Sequence, residues 1–88
     1  MAWQVEFDPR AEKEIASLDK QSQREVIRYL RDRITTDDDP RRFGKALRGG
    51  LNGLWRYRVG DYRLVCQLRD HAFIVLVIRV GHRKEVYG

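Results

Sequence analysis

The sequence predicts an α+β fold: a helical hairpin packed on one face of a mainly antiparallel four-stranded sheet, in the order β-α-α-β-β-β. Three observations carry this. Apolar and polar residues alternate near the start and again in two segments between Leu54 and Leu68, the period of half-buried strands. Two stretches between Pro9 and Ile34 repeat their apolar residues at helical spacing, each preceded by an aspartate suited to capping. A short apolar run, Ala72 to Ile78, is rich in β-branched residues and suits a strand covered on both faces.

Taken in order, Trp3, Val5 and Phe7 alternate with Gln4 and Glu6 to give a first strand with one buried face. Asp8 ends it as an N-cap, with Pro9 at the first helical position, where its missing N–H costs nothing. Ala11, Ile15 and Leu18 form the apolar stripe of that helix. A second helix is capped by Asp19, or one turn later by the Ser22-Gln23-Arg24-Glu25 box, and buries Val26, Ile27, Leu30 and Ile34. Thr35 to Pro40 is a solvated acidic loop without the ligand alternation or the glycine of a calcium loop. Arg41 to Arg48, with Phe43, Ala46 and Leu47, predicts one helical turn pinned to the core. Gly49-Gly50-Leu51-Asn52-Gly53 reads as a flexible turn, because no GK[ST] follows it and no helix begins there.

The last third holds the densest pattern. From Leu54 to Val59, Trp55, Tyr57 and Val59 fall on one face, and Leu54, Arg56 and Arg58 on the other. Gly60-Asp61 supplies a two-residue hairpin turn. In the next strand Tyr62, Leu64, Cys66 and Leu68 share a face, leaving Arg63, Val65 and Gln67 opposite. Arg56, Arg58 and Arg63 should therefore converge on the side away from the helices, where they repel one another unless an anion lies between them. The apolar run then delivers His82, Arg83 and Lys84, with Tyr87 close behind.

At 88 residues the chain is expected to be one domain, 1–88, burying roughly 60–65% of its unfolded surface in a single modest core. The net charge of +5 is unevenly spread: residues 1–40 carry 7 basic and 10 acidic side chains, residues 41–88 carry 11 and 3. A basic half dominated by arginine suits a polyanion, since guanidinium grips phosphate with two parallel hydrogen bonds; a solubilising surface accounts for the charge alone equally well. The single cysteine, Cys66, excludes an intramolecular disulfide framework and reads as a small buried apolar residue. Met1-Ala2-Trp3-Gln4 lacks the start of a signal peptide, and the longest apolar run falls far short of the roughly 20 residues that span a bilayer, so a cytoplasmic protein with no membrane partner is expected.

The runs K-A-L-R-G, W-R-Y-R-V-G-D-Y-R-L-V and V-G-H-R-K-E-V-Y, in this order and spacing, with F-D-P-R-A near the start, resemble the RelE-type toxins of the RelE/ParE toxin–antitoxin superfamily over essentially the whole chain. The resemblance implies a RelE-like fold and a ribosome-dependent endoribonuclease that cuts messenger RNA in the vacant decoding site, using no metal or cofactor and held in check by a cognate, RelB-like antitoxin. It implies that Arg56 and Arg58 contact RNA or reaction groups, that Arg63 and Arg83 stabilise the scissile phosphate, and that Tyr87 is the functional tyrosine. Residue chemistry adds Lys84 as an RNA contact and His82 or Tyr87 as the base, with Glu85 behind them. Two alternatives stay open: a ParE-like inhibitor of DNA gyrase that cuts no RNA, and an inactive nucleic-acid or antitoxin-binding module.

Overall fold

The computed structural model describes residues 2–47 and 53–82, and these form two helices on one face of a five-stranded sheet. In chain order the elements are β1 (Gln4–Phe7), α1 (Pro9–Ala16), α2 (Lys20–Tyr29), β2 (Lys45–Ala46), β3 (Leu54–Val59), β4 (Tyr62–Arg69) and β5 (Ile74–His82). The sheet order is β1-β5-β4-β3-β2, with β1 parallel to β5 and every other pairing antiparallel.

Local chemistry sets the boundaries. The Asp8 carboxylate accepts the Arg10 N–H at 3.1 Å, with Pro9 opening α1. Asp19, not the later serine box, caps α2 by accepting the Ser22 N–H at 3.2 Å. Hydrogen bonding to Ser22 holds the Asp19 carboxyl below its ordinary range, because the bond favours the charged form. The helix then widens into one π turn, Leu30–Ile34, where the Thr35 N–H reaches the Leu30 carbonyl at 2.8 Å. Val26, Leu30 and Ile34 go into the core, whereas Ile27, expected there, is exposed, since its side of α2 faces away from the sheet.

The core lies between the helices and one sheet face: Ala11, Val26, Leu30 and Ile34 meet Tyr57, Val59, Leu64, Cys66, Leu68, Val75, Val77 and Val80. Each fully buried valine or leucine contributes on the order of 1.5–3 kcal/mol of transfer free energy. Cys66 sits among them with burial pushing its thiol pKa well up, which suits a packing residue.

Three expectations are corrected. A fifth strand exists: the predicted helical turn over Arg41 to Arg48 is a 3-10 turn over Pro40–Phe43, followed by β2 pairing with β3. The last strand starts at Ile74, because Asp70–Ala72 form a 3-10 turn and Phe73 adopts a left-handed backbone. It also runs on through Gly81 and His82, and from Ile74 to Ile78 only Val75 and Val77 are buried, so the run is fully covered on its helical side alone. The predicted turn over Gly49 to Gly53 falls largely outside the described residues. No helix among those described is long and apolar enough to cross a membrane.

Candidate nucleic-acid interface

Strand register decides which predicted site residues meet. The tight turn Gly60-Asp61, with Gly60 at φ +58°, sets Val59 opposite Tyr62 and so brings Arg58 directly opposite Arg63. Arg56 lies two residues back on the same face, opposite Val65 and, across the other edge of β3, opposite Lys45. A cleft of about 160 Å³ opens there, lined by Phe43, Gly44, Lys45, Arg56, Tyr57, Arg58 and Arg63.

Among the described residues this lining holds four cations and no carboxylate. Among the described residues none of the four forms an ion pair, although acids are available to other arginines. Like charges opposed across a ladder work against sheet formation, and an anion between them reverses that effect. Tyr57 is no proton acceptor here: its hydroxyl is buried, donates to the Pro40 carbonyl at 2.8 Å, and is held protonated by burial. The arrangement can therefore bind and polarise a phosphate, while proton transfer needs groups from elsewhere.

His82 does not join the arginines. A bulge between Val65 and Cys66 shifts the β4–β5 register so that Arg63 faces Gly81 and Tyr62 faces His82. Paired residues point to the same side of a sheet, so His82 belongs to the helical side. Its ring stands edge-on to Tyr62 with centroids 5.9 Å apart, in a separate hollow shared with Glu14, Ser17 and Leu18. Arg83, Lys84, Glu85 and Tyr87 lie outside the described residues.

Lys45 is the cation of this cleft that sequence reasoning passed over. Its signal was present in the K-A-L-R-G run, but the segment was read as a helical turn, in which Lys45 would not register with Arg56. Gly44 makes the register possible, since a Cβ there would collide with the Trp55 ring and stand 2.5 Å from the Arg56 carbonyl oxygen. No group of three or more potential metal ligands occurs among the described residues.

Comparison with known proteins agrees in sequence and in fold. A family model for the ParE toxin of the type II toxin–antitoxin system parDE matches residues 5–87. Toxin RelG of Mycobacterium tuberculosis is 30% identical over 99% of this chain and 98% of its own length. The toxin–antitoxin complex RelBE2 from Mycobacterium tuberculosis contains a chain that superposes with a TM-score of 0.84 at 29% identity, covering 94% of this chain and 93% of that one. A free-state E. coli toxin RelE with two arginines replaced by alanine gives a TM-score of 0.79 at 30% identity, covering 97% and 87%. With the family model spanning nearly the whole chain and RelE-type structures matching its fold, the protein belongs to the RelE/ParE superfamily as a RelE-type toxin of a type II toxin–antitoxin system.

Proposed function

We propose that this toxin is a ribosome-dependent endoribonuclease that cuts the messenger codon in the vacant decoding site and is silenced by a cognate RelB-like antitoxin. The observation that carries this reading is the cleft, without a carboxylate among the described residues, in which Arg56, Arg58 and Arg63 converge from both strands of one hairpin. The ribose 2′-OH attacks the adjacent phosphorus and the bond to the 5′-oxygen breaks, leaving a 2′,3′-cyclic phosphate and a 5′-hydroxyl end. Arg63, with Arg58 beside it and Arg83 from the following segment, neutralises the charge that builds on the phosphorane oxygens. Arg56 and Lys84 hold the flanking RNA. Tyr87, as its phenolate, takes the proton from the 2′-OH in preference to His82, because the strand register turns His82 toward Tyr62. An arginine or lysine of the site helps the departing 5′-oxygen, which takes up a proton to become the 5′-hydroxyl.

Solved RelBE2 and E. coli RelBE complexes, both toxin–antitoxin pairs, support an antitoxin partner here. An acidic, amphipathic segment is the chemistry that would neutralise such a face.

Mapping messenger 5′ ends in a translating extract tests the nuclease. Codon-phased cuts that vanish with Arg63→Ala and with Arg83→Ala are expected. The family model bears the ParE name, so a supercoiling assay runs alongside: gyrase inhibition without any cuts would replace the nuclease reading with the ParE-like one. Neither effect would leave an inactive binding module.

A further inference from the structure

We infer that Lys45 is a substrate-contacting residue that holds a second RNA phosphate, next to the one gripped by Arg58 and Arg63. The inference rests on the RNA reading above and adds a subsite to it. Lys45 is exposed, lines the same cleft, pairs in register with Arg56 and forms no ion pair among the described residues. Its backbone stands two strand spacings from β4, on the order of 10 Å along the hydrogen-bonding direction, which roots its ammonium group to one side of the Arg58–Arg63 pair. A separate phosphate is the group that fits.

A strand of two residues holds a side chain poorly unless something fixes it, and this one is fixed. The Tyr57 hydroxyl donates to the Pro40 carbonyl at 2.8 Å, and the Tyr29 hydroxyl to that of Phe43 at 3.5 Å. The Phe43 ring lies beneath the guanidinium groups of Arg33 and Arg42, each 5.4 Å from its centroid. Gly44 seats against Trp55, and the ladder continues past Lys45 with the Leu47 N–H donating to the Leu54 carbonyl at 3.2 Å. The ammonium group is thereby carried on a fixed backbone beside the arginines, so less ordering is needed on binding.

Fluorescence anisotropy with a short labelled single-stranded RNA, 2′-O-methylated so that it cannot be cut, tests this across a salt series. Wild type, Lys45→Ala, Lys45→Arg and Lys20→Ala are compared, the last removing an equal charge from the helical side. For Lys45→Ala the slope of log affinity against log salt should flatten by about 0.7, the value for one lost contact to a single strand. Lys45→Arg should restore the slope, Lys20→Ala should leave it unchanged, and all four should melt at the same temperature. Equal slopes for Lys45→Ala and wild type, or equal flattening by Lys20→Ala, would overturn the inference while leaving the nuclease reading intact. Flattening in a protein that cuts no messenger would do the reverse. A wild type that binds no RNA would also overturn the inference, the nuclease reading being decided by the messenger map.

Discussion

Two sets of arginines in this protein differ in whether the fold gives them an acid. Arg41 forms a bidentate pair with Asp70, at 2.8 and 2.7 Å, and lies over the Trp55 ring at 5.8 Å. Arg42 pairs with Asp38 at 2.9 Å, and Arg79 reaches Glu14 at 3.3 Å. On the other side of the sheet, Arg56, Arg58 and Arg63 share a cleft with Lys45, and among the described residues none of them meets a carboxylate. Among the described residues the first set is given acids by the fold and the second set is not. Residue type is thus a poor guide to the role of an arginine, and the nearest carboxylate is a better one.

The comparison breaks most sharply at Arg63. Arg63→Ala should lower codon cleavage by about 10²–10³-fold, the usual cost of removing one donor to a developing oxyanion. Melting temperature should hold or rise slightly, because a cross-strand repulsion is relieved. A large loss of stability instead would mean that Arg63 serves the fold rather than a ligand.

Tyr57→Phe probes the link between the two sets, since its hydroxyl pins the segment that carries both Arg41 and Lys45. Leaving the buried Pro40 carbonyl unpaired should cost about 1–3 kcal/mol in urea denaturation. Glu14→Ala should cost about 1 kcal/mol in the same measurement. Its carboxylate accepts the Val80 N–H at 2.8 Å where β5 has run past the end of β1, and it also balances Arg79. Val80 amide exchange should quicken in this variant.

The smallest effect belongs to Asp70→Asn, because the pair is largely solvent-exposed and such bridges contribute about 0.2–1 kcal/mol. The Arg41 guanidinium holds the Asp70 carboxyl below its ordinary 3.8. A depressed carboxyl stabilises the fold above the unfolded pKa and loses that contribution as pH falls through the folded one. Wild type should therefore exceed Asp70→Asn in stability at neutral pH, and the difference should close as pH drops below about 4. A gap that persists at pH 2 would show that shape, not charge, is what Asp70 supplies.

Most of the fold was legible because its signals are local. Asp8-Pro9 and Asp19 cap helices by contacts within three residues, and Gly60-Asp61 turns a hairpin by its own backbone freedom. The convergence of Arg56, Arg58 and Arg63 followed from alternation plus that turn. What could not be read was non-local. Lys45–Ala46 is too short to carry a period, so only its pairing with Trp55 and Arg56 makes it a strand. The placement of His82 hung on one bulge, since a one-residue slip exchanges the two faces of a strand. Ile27 shares an apolar spacing with Val26 and Leu30, and helical spacing does not say how wide the covered stripe will be.

The order of residues by itself determined the elements, the hairpin and the excess of guanidinium on one sheet face, because caps, turns and alternation act over a few residues. Only the tertiary structure decided which of those cations would meet an acid, that Lys45 would stand beside them and that His82 would not. Each of those outcomes depends on segments brought together from far apart in the chain, where register and packing, rather than local preference, set the distances.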